Sequence, residues 1–352
     1  MSPTEDCPVF AFNGAEVSVG EVVRAALFRG ELQASMSEVS LGIACEDQAS
    51  QQDAEAEEGA VDAMVEQFRI ENDLISAEET EAWLDKRGIT AVELQDHFTR
   101  SYWRNAMEKE HESGERGAGS LSADLLGKLE VGLFVSGELA AHAIGLSRRL
   151  VARSRAETPA DPARLSSESD RFLERTGLMP DRVAEWLVSL DREQAWLDGM
   201  LEMEASYRAM SDAILTPERL SKALSGMRLQ LTRIELERVE FDSIDAAREG
   251  RLCVVDDHLS LEEVARESRY PFKRLEIWAG QQPEVERQKL LCAEIGEIQE
   301  PAPSGGVFLL SRVIRRTDPT LENPTVRRAV EQKILDTHFS ETGAREISWL
   351  IR

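Results

Sequence analysis

Apolar residues along this chain recur at two spacings, one of strands and one of helices. In Val9-Phe10-Ala11-Phe12-Asn13-Gly14-Ala15-Glu16-Val17-Ser18 two short apolar runs flank an Asn-Gly pair. That dipeptide tolerates the left-handed backbone of a tight hairpin, so the segment predicts strand, turn, strand. Val19, Val22, Val23, Ala26 and Leu27 then follow at helical spacing. Residues 46–60, acidic and rich in Gln and Ala, predict a solvated helix face or a loop. From Val61 one helical face returns with Met64, Val65 and Phe68. Ser76-Ala77-Glu78-Glu79 and Thr90-Ala91-Val92-Glu93 fit capping boxes, in which hydroxyl and carboxylate satisfy the free amides of a helix start. Short helices punctuated by Gly88 are the expected result. The polar stretch Glu108–Ser120 predicts a linker. Residues 121–153 predict a long helical region broken at Gly137, and Ser154–Ser166, with Pro159 and Pro162, a loop.

The pattern repeats. Gly30-Glu31-Leu32 recurs as Gly137-Glu138-Leu139. Phe68, Leu74, Trp83-Leu84, Leu94 and Phe98 recur as Phe172, Leu178, Trp186-Leu187, Leu197 and Leu201. Two Trp-Leu pairs, each followed by a Leu ten residues on, exceed what helical periodicity alone would produce, and they predict a duplicated helical unit. Both tryptophans are expected in the core.

The rhythm changes after Thr216-Pro217-Glu218, a helix start with a capping hydroxyl and Pro at the first helical position. Leu229–Phe241 mixes helical spacing with alternation, predicting a strand over its second half. Short helices are expected around Ala246-Ala247 and after Ser260, then a strand over Phe272–Trp278 and a helix over Pro283–Ala293. Val307–Ile314 is the clearest strand in the chain. Strands and helices in this order imply a small α+β domain with an antiparallel sheet. Asn323-Pro324 opens one more amphipathic helix, and Glu346–Ile351 predicts an edge strand. The fold class expected is α+β and mostly helical. Four segments are predicted: a helical unit with an N-terminal hairpin over 1–110, a repeat-related unit over 121–215, the α+β domain over 216–316, and a C-terminal helix and edge strand over 317–352.

Composition narrows the function. A net charge of −25 argues against nucleic acid, whose phosphates need clustered Lys and Arg, and disfavours anionic membrane surfaces. No apolar run reaches the roughly 18 residues of a spanning helix. Glu5 and Asp6 stand where a secretory signal would place lysines, so a cytoplasmic protein is expected. Cys7, Cys45, Cys253 and Cys292 are scattered without CxxC spacing and the five histidines stand alone, so reduced thiols and no metal or other cofactor are expected. Ser304-Gly305-Gly306 predicts a hairpin turn rather than a phosphate nest. Asp256-Asp257-His258 lacks a third partner for metal or acid–base work and is expected in a solvated loop.

Three segments carry a family resemblance. FNGAEVSVGEVV resembles the "NGE-I-T-x-x-E-L" opening of SurA and PpiC-type chaperones. LERVEFDSIDAAREG and LSLEEVARES resemble the first strand and following helices of the parvulin rotamase domain. AEIGEIQEPAPSGGVFLLSRVIRR resembles its end, with Gly296-Glu297-Ile298 and Pro301 in place. The parvulin likeness covers 229–316, and the SurA-like likeness covers the N-terminal third. It implies a SurA-like helical region followed by a parvulin-like module. A narrower resemblance, in Phe68–Leu84, is to the isomerase-like peptide maturation proteins of clusters for ribosomally made, modified peptides.

The departures are as informative. Parvulins place one histidine on the first strand and another on the last, across the prolyl site. Here the first strand offers Leu236, Arg238 and Val239, and the last Phe308 and Leu309. The Gly-Gly-Asp-x-Gly stretch of the family is replaced by Arg269-Tyr270-Pro271-Phe272-Lys273. The resemblance therefore implies a degenerate, non-catalytic module that still holds extended peptide, with no catalytic residues. Its candidate peptide-binding residues are Tyr270, Phe272, Trp278, Phe308 and Leu310. The partner expected is a peptide or unfolded polypeptide, a precursor peptide above all, with tailoring enzymes as further partners. The rival readings are an active prolyl isomerase and a scaffold for a tailoring complex. The strands Val307–Val313 and Ile347–Ile351 are expected edges for an added peptide strand or a homodimer contact.

Overall fold

The structure, a computed structural model, describes residues 4–111 and 121–351. The predicted linker Glu108–Ser120 lies outside the described residues from 112 onward. The chain is mostly helical with small antiparallel sheets, and forms two compact units. Unit 1 is Met1–Asp212 with Phe339–Arg352, and unit 2 is Ala213–His338.

Unit 1 opens on the hairpin β1 (Pro8–Phe12) and β2 (Ala15–Ser18). Asn13 and Gly14 make its turn at φ 50° and 84°, the left-handed conformation expected of an Asn-Gly pair. Among the described residues ten α-helices follow: α1 (Val19–Phe28), α2 (Gln33–Gln51), α3 (Ala60–Glu71), α4 (Ala77–Asp85), α5 (Ala91–His111), α6 (Ala123–Val135), α7 (Glu138–Ser154), α8 (Pro162–Thr176), α9 (Val183–Ser189) and α10 (Gln194–Ile214). Residues 46–60 divide between the end of α2 and a loop. Capping boxes start α1 at Ser18 and α4 at Ser76. Thr90 does the same for α5, its hydroxyl accepting from Glu93 N while Thr90 N donates to the Glu93 carboxylate. The loop expected over Ser154–Ser166 is shorter than predicted. Asp161 caps α8 and Pro162 occupies its first position, where proline lacks only a hydrogen bond that no helix could make.

The repeat has a structural counterpart. Helices α1–α5 recur in order as α6–α10, and three left-handed backbone positions recur with them. Gly30 and Gly137 lie at φ 69° and 77°, Asp73 and Gly177 at 56° and 68°, Gly88 and Asp191 at 63° and 54°. The ring pair Phe68–Trp83 has its equivalent in Phe172–Trp186, both with centroids 5.3 Å apart. The turns that break the helices are thus duplicated together with the side chains that pack them. Aspartate at a left-handed position carries a Cβ penalty that glycine lacks. Asp191→Gly should raise the stability of unit 1 by about 0.5–1 kcal/mol in urea unfolding, the larger entropy of the unfolded glycine chain offsetting part of the gain.

One core binds both copies: Phe28 of α1, Leu129 and Leu133 of α6, Phe172 of α8 and Leu190 are each under 2% exposed within it. Among the described residues no single helix is long and apolar enough to cross a membrane.

Unit 2 continues with α11 (Pro217–Met227), β3 (Arg233–Phe241), α12 (Ile244–Val255), α13 (Leu261–Ser268), β4 (Phe272–Trp278), α14 (Glu284–Cys292), β5 (Ala302–Ser304), β6 (Val307–Thr317) and the start of α15 (Pro324–Gly343). Its antiparallel sheet runs β4-β3-β6-β5. Ser304-Gly305-Gly306 makes the β5–β6 turn, both glycines at positive φ. The last strand, β7 (Ile347–Trp349), belongs to unit 1, where it pairs antiparallel with β1 to complete a sheet ordered β2-β1-β7.

Candidate functional site

Strand β3 carries a different environment on each face because successive side chains alternate. Ile234 and Leu236 point to one face, where they join Val313 of β6 and Leu290 of α14 in a fully buried cluster. Beyond them on that face Arg238 donates to Ser311 Oγ at 3.2 Å and to Glu286 at 2.7 Å. The opposite face is split. Val239 and Phe241 sit opposite Phe272 of β4 and Leu310 and Phe308 of β6, under α12 and α13. Further along it, Glu237 accepts from Arg312 at 2.5 Å and Glu235 pairs with Arg315. Half of this face is therefore apolar and covered, and half is an ion-paired surface.

A cavity of about 310 Å³ lies between α12 and α13, lined by Phe241, Gly250, Cys253, Leu259, Val264 and Tyr270 among others. Gly250 is required there. A Cβ on it would come within 2.7 Å of the Phe241 ring and 3.3 Å of Val264. Tyr270, just ahead of β4, packs its ring 4.7 Å from Phe241 and donates its hydroxyl to Asp242 at 2.6 Å. The charge of Asp242 on that hydrogen bond holds the phenol above its usual pKa. Ser243, whose hydroxyl accepts from Ala246 N, turns the chain from β3 into α12. The cavity is thus bounded by α12, α13, the end of β3 and Tyr270, two residues ahead of β4, an outermost strand of the sheet.

The structure brings four of the five predicted site residues to one place. Tyr270, Phe272, Phe308 and Leu310 all pack in the cluster under α12 and α13. Leu310 is fully buried there, whereas Tyr270, Phe272 and Phe308 are half-buried. Trp278, at the far end of β4, packs instead with Leu220, Val326 and Val330. One expected edge is not an edge. β6 is paired on both sides, by β3 along its length and by β5 on the other. Beyond β5 the bond Gln299 N to Ser311 O and the Ile298–Arg312 bridge occupy its outer side. The short strand β5 was not legible in Ala302-Pro303-Ser304, which lacks apolar alternation. The outer strands of this sheet are the three-residue β5 and the longer β4, and β4 is guarded by the exposed charges of Lys273, Arg274 and Glu276. In unit 1, β7 lies at the sheet margin as expected.

The sequence reasoning missed Cys253 and Asp242 as neighbours of the site. The only signal for them was their place, Asp242 directly after β3 and Cys253 in the last turn of α12. Asp256-Asp257-His258 follows α12 in an exposed loop, and no cluster of three metal-ligating side chains occurs among the described residues. The four cysteines are free thiols, Cys7 and Cys45 buried, Cys253 half-buried and Cys292 exposed.

No family model and no curated protein matches the sequence. Among solved structures, the chain is similar to the peptidylprolyl isomerase PrsA from Bacillus cereus, at 12% identity and a TM-score of 0.35, over 62% of this chain and 85% of that one. PrsA from Bacillus anthracis matches at 12% identity and a TM-score of 0.31, over 56% and 94%. A SurA-like chaperone of Campylobacter jejuni matches at 10% identity and a TM-score of 0.22, over 62% and 89%. These three structures are thus two PrsA peptidylprolyl isomerases and a SurA-like chaperone, each at low identity and low superposition score.

Proposed function

We propose that this chain is a non-catalytic, chaperone-like peptide-binding protein that holds an extended peptide along β4. In the narrower form suggested by the Phe68–Leu84 resemblance, the peptide is the precursor of a ribosomally made natural product, presented to a tailoring enzyme. The observation that carries the proposal is β4 at the sheet margin, preceded by Tyr270, which lines a cavity of about 310 Å³ under α12 and α13. An edge strand offers unpaired amides and carbonyls that bind backbone with little demand on sequence, and an adjacent apolar cavity accepts a side chain. Supporting the non-catalytic part, the positions where the parvulin resemblance expects histidines carry Leu236, Arg238, Val239, Phe308 and Leu309. Aliphatic, aromatic and guanidinium side chains exchange no proton near neutral pH.

The test is fluorescence anisotropy with a labelled nonapeptide rich in Val and Thr, beside a prolyl-isomerisation assay. Saturable micromolar binding is expected, weakened about tenfold or more when alternate backbone nitrogens of the peptide are methylated, because methylation removes the donors that strand addition uses. Equal binding of the methylated peptide would remove β4 from the proposal. A rate enhancement like that of an ordinary parvulin would replace it with an enzyme, and absence of any peptide binding would favour a scaffold.

A further inference from the structure

A narrow pocket of about 190 Å³ lies in unit 1 where α2, α5 and α6 meet. Two glycines bring these helices close. A Cβ on Gly42 of α2 would sit 3.3 Å from the Cβ of Arg100, and one on Gly132 of α6 would sit 3.7 Å from the His97 ring. The charged groups of the lining are Arg100, Arg104 and Lys128 against Glu38 and Glu138. With His97 neutral and Asp124 pairing Lys128 from just outside the lining, the group carries no net charge, and Arg100 is the cation left to be matched. Burial pushes the His97 pKa down to about 4, so its ring is neutral at ordinary pH and offers one N–H.

Two of the three cations are engaged. Arg104 is bound to Glu38 at 2.9 Å and Lys128 to Asp124 at 2.5 Å. Arg100 is not. It is only 7% exposed, yet among the described residues its guanidinium makes no hydrogen bond or ion pair. Glu46, Asp96 and Asp124 attract it at longer range without contacting it, and burial lowers its pKa. Its nitrogens are not sealed in the core but keep a little exposure, so their donors are open to an acceptor that meets the planar fork.

We propose that this pocket binds a single carboxylate group, with Arg100 as its principal partner. Arg100, the cation without an ion-pair partner among the described residues, matches one negative charge, whereas a dianion such as phosphate would add unpaired charge beside Glu38 and Glu138. The planar carboxylate also matches guanidinium geometry for two parallel hydrogen bonds. Its source is a small free carboxylate or the C-terminal carboxylate of a peptide, which share this chemistry.

The full chain is titrated with propionate, with N-acetyl-Ala-Ala bearing a free C-terminus, and with the amide of that dipeptide. The Arg100 Nε–H resonance is followed by NMR. The carboxylates should bind saturably and shift that resonance, and the amide should bind about tenfold more weakly or worse. Arg100→Gln should lose the same factor. Dipeptide binding well above that of propionate identifies a peptide terminus, and equal binding identifies a small carboxylate. If the Arg100 variant fails to fold, the resonance in the unaltered chain decides. Equal affinity for amide and carboxylate, no saturable binding, or an unmoved Arg100 resonance at saturation would each overturn the proposal.

Discussion

Phe28→Ala should destabilise unit 1 by about 3–5 kcal/mol, the range for removing a large aromatic side chain from a core that cannot collapse around the hole. Phe28 is fully buried at the end of α1. Its ring stacks on Phe172 of α8 at 5.0 Å and meets Trp196 of α10 edge-on at 6.3 Å. The guanidinium of Arg175 lies 5.9 Å from the same ring. One ring from the first copy of the repeat therefore anchors two helices of the second. Phe28→Leu keeps most of the volume and should cost much less, about 1 kcal/mol, by losing ring contacts alone. Urea unfolding monitored by tryptophan fluorescence would read both. A loss below about 1 kcal/mol for the alanine variant would mean that the repeats do not depend on this ring.

Glu130→Gln should stabilise unit 1 at pH 8 and leave it unchanged at pH 4. Glu130 lies on α6 and is 4% exposed, and burial, reinforced by the charge of Glu5, pushes its pKa up to about 7. The folded state therefore keeps a proton that the unfolded chain gives up near pH 4.5. Below that pH both states are protonated and the group costs nothing. Between there and pH 7 the unfolded state binds fewer protons, so stability falls as pH rises, and above pH 7 the full penalty stands. A displacement of this size corresponds to about 3 kcal/mol before local relaxation, and about 2 kcal/mol is the expected gain from the amide. His97, its pKa lowered to about 4 by burial, acts with the opposite sign. It withdraws stability as pH falls from 6.5 towards 4, so between about pH 4.5 and 6.5 the two slopes oppose and largely cancel, and the Gln variant should uncover the rise of stability with pH that His97 alone produces.

Much of the architecture was legible because local chemistry and tertiary packing agree here. The Asn13-Gly14 turn, the capping hydroxyls of Ser76, Thr90 and Ser260, and Pro217 behind Thr216 all mark the element boundaries they predict. The strand pattern of β3 was legible over its second half, where Val239 and Phe241 alternate with charge. What could not be read is non-local. Nothing in Val307–Thr317 reveals that both margins of β6 are filled, because the partner, residues 296–304, is polar and irregular. Trp278 and Phe272 occupy one strand, and only the packing of α11 and α15 separates the tryptophan from the site. Arg100 escaped notice for the same reason. Its neighbours come from α2 and α6, far away in the chain, and a single arginine in the middle of an amphipathic helix looks like any solvated cation.

The pairing of β7 with β1 sets an order of events during synthesis. Strand β1 leaves the ribosome long before β7 and must wait for this second neighbour until all of unit 2 has been translated. Until then Phe10, whose ring lies 5.3 Å from Trp349 in the finished protein, has one flank of its strand unpaired. Unit 2, contiguous in the chain, can fold while that flank is open, and unit 1 closes last through contacts of very high sequence separation, the slow kind. A nascent chain stalled before residue 347 should therefore be the form most prone to capture by other unpaired strands.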